Sequence, residues 1–488
     1  RKSISPHDST GANLIVQVKN HKVMRVVPLE NEAVNECWIA DRDRFSYEAL
    51  NGEDRLTRPM LKQGGQWQEV DWQTALEYVA NGLKCVRDKH GASAIGALVS
   101  PHSTLEELYL AGALVRGLGS DNIDHRLRHA EFAAPEGVRW LGMPIAALSG
   151  LQSVLVLGSN LRKDHPLFAQ RIRQAARKGC TVHAINAQAY DWALPATHSV
   201  VAHADWAQAL ADVAAAVAQE KGVAAPAQGQ ASEEAVAIAR ALLSGDSKAI
   251  LLGNAAAHHA QASTLLALAQ WIAVQTGAAF GYLTEAANTV GAQFVGAQPR
   301  QGGLNAAQML EGQVKALFLL NTEPAFDSAA GAKAAQGLAD VDMVVTLSPF
   351  KTNMEFSDVL LPIAPFTETS GSFVNAEGRV QSFHAVVRPL GETRPAWKVL
   401  RVLANIMGLE GVDFNSSQDV LTHVVGSATQ LGAEQLSNAT GAAIAVARGP
   451  AAAPVVASIY QLDGLVRRAP ALQQTADARR AREEGAAA

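Results

Sequence analysis

Apolar runs broken at two different spacings organise the chain. Near its start, NLIVQV (13–18) and VMRVVPL (23–29) have β-type composition, and the polar KNHK between them is of hairpin length. This predicts a small β unit. From about Trp72 the pattern becomes strand, helix, strand. SAIGALVS (93–100) precedes TLEELYLAGALVRGLG (104–119), where Thr104 and Glu107 have capping-box spacing and Gly117 or Gly119 can end the helix. SVLVLGSN (153–160), HPLFAQRIRQAARKG (165–179) and TVHAIN (181–186) then read as a β-α-β unit. Its strands are continuous apolar runs, as expected of a parallel sheet covered on both faces.

A second series begins near residue 248. KAILLGN, a helix over 262–276, VKALFLLN (314–321), a small helix in SAAGAKAAQGL (328–338) and DMVVTLS (342–348) repeat the alternation. Two doubly wound sheets, or one with a long insertion, are the natural architecture. Residues 218–234, rich in Ala, Gly, Gln and Ser, read as a surface connection. After a helix around AWKVLRVLANIMG (396–408) the chain turns Ala-rich, and the tail is expected to be loosely packed and partly disordered at its end.

One stretch invites a membrane reading, because Ala249 to Thr284 carries no formal charge. Its helical part, 262–276, would be about 22 Å long, short of the roughly 30 Å hydrocarbon core, and it contains Gln270 and Gln275. A buried helix is the better reading.

Composition narrows the function. With 488 residues, two or more domains are expected. The 41 Lys and Arg against 46 Asp and Glu leave a net charge of −5, so no basic field argues for nucleic acid. Cys37, Cys85 and Cys180 form no C-x2-C pair, which fits a reducing compartment without a disulfide framework. The start at Arg1, without a leader, is read as a fragment or mature piece of a cytoplasmic protein.

Candidate chemistry is sparse. LVLGSN (155–160), ILLGNAAA (250–257) and LFLLNTEP (317–324) place small or polar residues after an apolar run, where α/β sheets bind nucleotides. P-loop and G-x-G-x-x-G fingerprints are missing. His258 and His259 are adjacent, point in different directions and are expected to be ordinary surface or loop residues. His125 and His129, spaced i, i+4 with Glu131 close by, would share a helical face, but Arg126 and Arg128 oppose a cation. A solvated charged helix is expected there. No Gly-x-Ser-x-Gly elbow supports a hydrolase. GSFVNAEGRVQ (371–381) has two flexible glycines beside an amide and both charges. Gly371 and Gly378 read as turn positions, and Asn375, Glu377 and Arg379 as internal hydrogen-bond or ion-pair partners.

Taken in order, NLIVQVKNHKVMRVVP, NECWIADRDRFSYEAL, RLTRPMLKQGGQWQEVDWQTAL, GSDNIDHRLR, SVLVLGSN, SDVLLPIAPFTETSGSFVNAEGRVQ and AWKVL resemble the molybdopterin oxidoreductase superfamily. Within it the chain is most similar to the large iron–sulfur subunit of bacterial proton-pumping NADH:quinone oxidoreductase, respiratory complex I, with DGLVRRAPALQQTADA (463–478) adding to the match. The resemblance implies doubly wound, mostly parallel α/β sheets, a small β-rich unit over 1–70, α/β domains over 71–225 and 226–410, and an Ala-rich extension over 411–488. These last residues are too few and too Ala-rich for the C-terminal β-barrel of catalytic members.

Departures from the family pattern shape the functional expectation. Catalytic members hold a [4Fe–4S] cluster on four cysteines, and the equivalent positions here are Ser5, Asp8, Ala12 and Ala40. Cys37 lies near the last of these without partners and is expected to be a buried thiol. The metal-ligating position beyond NID has no thiol or hydroxyl in HRLRHAEFAAPEG, leaving Asp121 and Asp124 as remote substitutes. No catalytic, cofactor-binding or metal residue is therefore assigned. The resemblance implies a non-catalytic scaffold, with [2Fe–2S] and [4Fe–4S] clusters on an N-terminal half outside this sequence. It further implies partners among the flavin and iron–sulfur subunits of the hydrophilic arm, and a peripheral place on the cytoplasmic side of the bacterial inner membrane. Two alternatives stand beside this: an active molybdenum or tungsten bis-pterin oxidoreductase of formate dehydrogenase type, and a module retaining a nucleotide in the old crevice.

Overall fold

The computed structural model describes residues 1–134, 136–300 and 302–486. Its strands in chain order are β1 Lys2–Ile4, β2 Asn13–Lys19, β3 Lys22–Pro28, β4 Met60–Gln63, β5 Gln66–Glu69, β6 Ile95–Val99, β7 Asn122–Asp124, β8 Ser153–Leu157 and β9 Thr181–Asn186. They continue with β10 Thr197–Val200, β11 Lys248–Leu252, β12 Ala279–Tyr282, β13 Ala316–Leu320, β14 Met343–Ser348, β15 Val359–Pro362, β16 Gly371–Val374 and β17 Val380–Phe383. They form two large sheets, one nested in the other along the sequence.

The outer sheet runs β5-β4-β15-β14-β13-β6-β7, parallel except for the antiparallel β4 and β5 at one edge. Between β7 and β13 the chain builds a second sheet, β10-β9-β8-β11-β12, parallel throughout. Strands β6, β8 and β13 are buried at every position, which is why they read as unbroken apolar runs.

Helices cover both faces. The helices Trp72–His90, Leu105–Gly117 and Ala396–Ile406 pack on one side of the outer sheet, and Ala306–Leu310 and Lys333–Leu338 on the other. The inner sheet is sandwiched between Trp206–Lys221, Glu233–Leu243 and Ala262–Thr276 on one face and Pro166–Arg177 on the other. Each fully buried aliphatic side chain contributes about 1.5–3 kcal/mol, so these faces supply much of the driving force for folding. Helix Leu105–Gly117 begins with the expected capping box between Thr104 and Glu107. Helix Ala262–Thr276 lies within the inner sheet's core and ends at Gly277, whose φ of +73° suits a glycine. Among the described residues no helix is long and apolar enough to cross a membrane.

Three boundaries differ from expectation. The hairpin β4–β5 lies before residue 70 yet pairs with β15, so it belongs to the outer sheet and not to the N-terminal β unit. That unit, β1–β3, instead shares a core with the hairpin β16–β17. A division at residues 225 and 226 also falls inside the inner sheet, separating β8–β10 from β11–β12. Parallel strands choose neighbours by crossover geometry, which local pattern does not report.

The tail as far as residue 486 is the third difference, while the disorder expected at its very end falls on residues 487–488, outside the described residues. From Ser437 an extended strap runs along helix Ala262–Thr276, with Thr440 N–H donating to Gln270 and Ala447 N–H to Gln261. It then forms short helices at Gly464–Arg467 and Pro470–Gln473 that bury Tyr460, Leu462, Val466 and Leu472 against Phe45. Alanine is compatible with close packing as well as with disorder, and here the few large residues decide.

Gly281 in β12 marks a close approach: a Cβ there would sit 2.3 Å from the carbonyl oxygen of Leu141 and 2.5 Å from that of Trp140. Gly281→Ala should lower stability by about 1–3 kcal/mol through overpacking, read as a lower urea midpoint at unchanged slope.

Candidate functional site

The carboxyl ends of both sheets, the N-terminal unit and the tail meet in one region dense in buried polar residues. Ser5, Asp8, Ala12 and Ala40 are all buried there. The Ser5 N–H donates to the Ala12 carbonyl at 2.9 Å. Asp8 accepts from the Thr10 N–H at 3.0 Å and from the Arg42 guanidinium at 3.2 Å, and Arg42 also donates to the Asp164 carbonyl at 2.8 Å. Burial works against the Asp8 charge, but Arg42 overrides it and holds the carboxyl below its ordinary range. Asp43 beside them is pushed up, first by burial and then by Asp8. Two alanines, a hydroxyl and a carboxylate already bound to Arg42 do not fit an iron–sulfur cluster, which requires soft thiolate donors. Cys37 is no substitute, since it is exposed and not buried as expected.

The strand-end turns are equally self-contained. After β8, Ser159 N–H donates to the Asn186 side chain at 2.9 Å and Asn160 N–H to Asp164 at 2.9 Å. After β11, Ala255 N–H donates to the Gly158 carbonyl at 3.0 Å, and a Cβ on Gly253 would lie 2.4 Å from that same oxygen. The two turns therefore touch each other. After β13, Glu323 N–H donates to Asp327 at 2.7 Å. A phosphate-binding turn presents free N–H groups to the ligand, and these are spent internally. Two spaces open at these strand ends, a cavity of about 160 Å3 flanked by His125, His129, Tyr282 and Glu285 and one of about 70 Å3 beside His102 and Phe350, whereas a cleft of about 670 Å3 beside Gln152, Thr181 and Ser244 lies at the opposite, amino ends of the inner-sheet strands. Both strand-end cavities fall below the roughly 300–1,000 Å3 usual for small-molecule sites. Asp121 and Asp124 are also committed: Asp124 holds Arg126 at 2.9 Å and the N–H of Ala306 at 3.2 Å, and Asp121 pairs with Arg116 at 3.1 Å. These residues do not fit a paired pterin nucleotide with its metal. Among the described residues no group of three or more His, Cys, Asp or Glu side chains is arranged to hold a metal ion.

Histidines tie the region together. His7 lies between Asp463 and Ser46, at 2.6 Å from each. Burial disfavours the His7 charge, yet the Asp463 carboxylate more than offsets it and raises the pKa. Asp463 is likewise held below its ordinary range, burial being overcome by His7. The pair is best described as imidazolium and carboxylate. His258 and His259 prove buried, not surface residues: His258 donates from Nδ1 to the Val455 carbonyl at 2.7 Å, and His259 faces the His203 carbonyl at 2.9 Å. Their different directions preclude a shared ion. His125 and His129 lie on no helix, because the Asp124 carboxylate accepts the Arg126 N–H and turns the chain after β7. His125 instead faces the Ala297 carbonyl at 2.9 Å, while Glu131 accepts the N–H of Ser263.

The loop GSFVNAEGRVQ is the hairpin β16–β17. Its turn is fastened by Asn375, which accepts from the N–H groups of Glu377 and Arg379 and donates to the Thr10 carbonyl at 3.0 Å. Glu377 pairs with Arg379 at 2.7 Å and accepts the Ile145 N–H at 2.7 Å. Gly378 is a turn residue at φ +84°, whereas Gly371 begins a strand against Thr104. Sequence reading missed His7, Arg42, His102, Asp463, Arg467 and Arg468. The charge run DRDRF and the tail segment DGLVRR held the available signal, but nothing local names partners hundreds of residues away.

Comparison with known proteins agrees with this architecture. The model for the molybdopterin oxidoreductase family matches residues 55–406, and the chain belongs to that family. A second model, described as the 4Fe-4S domain of the NADH-ubiquinone oxidoreductase NDSU1/NuoG-like type, matches residues 1–48. A Staphylococcus aureus protein named "Putative formate dehydrogenase SAB2186c" is 23% identical over 489 residues, covering 84% of this chain and 49% of its own length. The Bacillus subtilis protein named "Probable oxidoreductase YjgC" is 24% identical, with 83% and 49% covered. The chain thus spans about half the length of these relatives. Acetylene hydratase from Pelobacter acetylenicus shares the fold, at a TM-score of 0.64 and 15% identity over 87% of this chain and 72% of that one.

Two outcomes follow from the buried charges. Asp8→Ala should cost about 3–5 kcal/mol by stranding Arg42, and Asp8→Ala combined with Arg42→Met should recover part of that loss, measured by urea unfolding. The His7 contribution is complete below its ordinary value of 6.5 and lost as pH rises through the raised folded value. That of Asp463 is complete above 3.8 and lost as pH falls through its lowered value. His7→Gln should therefore destabilise most between about pH 4 and 6.5, with a gap to wild type that narrows at higher pH.

Proposed function

We propose that this chain is the non-catalytic, molybdopterin oxidoreductase-like scaffold of the large iron–sulfur subunit of a bacterial proton-pumping NADH:quinone oxidoreductase. The whole complex would pass electrons from NADH through flavin and iron–sulfur clusters to quinone and couple this to proton translocation. The observation that carries the reading is the replacement of the cluster ligands by Ser5, Asp8, Ala12 and Ala40, with Asp8 closed onto Arg42. The NDSU1/NuoG-like match over residues 1–48 supports the choice of complex. In this reading clusters sit on a segment outside the sequence, neighbouring subunits of the hydrophilic arm pack on the scaffold, and the assembly lies at the cytoplasmic face of the inner membrane. A loss of cofactor with retention of fold needs only that the vacated space be refilled by paired groups.

A second reading, an active molybdenum or tungsten oxidoreductase acting on formate, has support of equal weight in the formate dehydrogenase names of the Staphylococcus relatives and the molybdopterin oxidoreductase match over residues 55–406. Two measurements separate them. Purified protein should contain no stoichiometric molybdenum or tungsten and release no fluorescent pterin on acid oxidation, and a tagged chain in its own cells should comigrate with an NADH-oxidising complex on native gels. Stoichiometric pterin with formate-dependent dye reduction would overturn the scaffold reading.

A further inference from the structure

Two adjacent arginines of the tail enter the strand ends of the outer sheet. Arg468 donates to Glu323 at 2.6 and 3.1 Å and to Asp54 at 2.6 Å. Its guanidinium lies 4.4 Å from the ring centre of Phe350. Arg467 donates to Asp327 at 2.7 and 3.3 Å, and stands 5.1 Å from the ring centre of Phe326. Glu323 and Asp327 are buried and belong to the turn after β13. Both contacts have the planar, two-pronged form that a guanidinium matches and an ammonium does not. Beside them Asp463 caps helix Gly464–Arg467 through the N–H groups of Leu465 and Val466 while holding His7.

The turn is built for a cation. Burial opposes ionisation of Glu323, but Arg467 and Arg468 overcome it and keep the carboxylate charged. An anionic ligand would meet Asp54, Glu323, Asp327 and Asp463 together and be repelled by like charge.

We infer that the turn after β13, with Asp54 and the Phe326 and Phe350 rings, is a guanidinium-binding site whose ligand is the Arg467–Arg468 pair of the chain's own tail. The tail segment is thus an internal ligand, seated where a nucleotide-type turn was expected. This does not depend on which assembly the chain serves.

Cleavage of the strap without dissociation is the test. A protease recognition sequence inserted after Gly449, in an exposed stretch of the full chain, lets the tail be cut after folding. The cut fragment should co-elute with the body on size exclusion. With Arg467→Gln and Arg468→Gln together it should be largely lost, whereas Arg479→Gln with Arg480→Gln, exposed residues of equal charge, should retain it. Added argininamide should release more fragment from the cut wild type than lysinamide at the same concentration. Dissociation of the cut wild-type fragment unaided, retention by the Arg467/Arg468 variant, or equal release by the two amides would each overturn the proposal. The wild-type measurements stand even if the double variant does not fold.

Discussion

Buried charge must be paired, and the molecule is arranged around that requirement. Arg42 with Asp8, Arg55 with Glu368 and Arg467 with Asp327 are all nearly excluded from solvent. Removing ions from water costs several kcal/mol each, so such pairs persist only where geometry and further hydrogen bonds compensate. Here Arg55 is bidentate to Glu368 at 2.9 and 3.0 Å and also donates to the Leu50 and Pro349 carbonyls. Two of the pairs cross between units, N-terminal segment to β15–β16 connection and tail to outer sheet, while Arg42, paired with Asp8 inside the N-terminal unit, also reaches the Asp164 carbonyl beside the inner sheet.

A fold family defined by a large anionic cofactor can lose that cofactor only if something else holds its layers together. In this chain many small contacts hold the layers together. Glu106 and Glu107 illustrate the cost, since burial pushes both up to about 7. They nonetheless accept backbone N–H groups, Ser372 for Glu106 and Thr104 for Glu107, and so fasten the hairpin β16–β17 and the helix start at the crevice.

How much of this was legible depended on range. β6, β8, β11, β13 and β14 stood out because burial on both faces demands continuous apolar runs, and Thr104 with Glu107 announced a helix start through a three-residue spacing. The nesting of the inner sheet did not, because Lys248 pairs with Ser153 across the division expected near residue 225. At the site, adjacency correctly set His258 and His259 apart, and Ser5, Asp8, Ala12 and Ala40 were visible as positions without a thiol. The burial of those histidines, the Arg42–Asp8 pair and the seat of Arg467 and Arg468 depend on packing between distant segments. No local period encodes them.

The bond between His7 and Asp463 joins residues 456 positions apart. At a usual synthesis rate of roughly 5–20 residues per second, about 20 to 90 s separate their appearance during translation. Throughout that interval the N-terminal unit carries a buried imidazole site without its carboxylate, and the outer sheet lacks the arginines that neutralise Glu323 and Asp327. This β unit therefore stays incomplete during synthesis until the segment around Asp463 emerges, and the exposed intermediate is the form on which chaperones and proteases act.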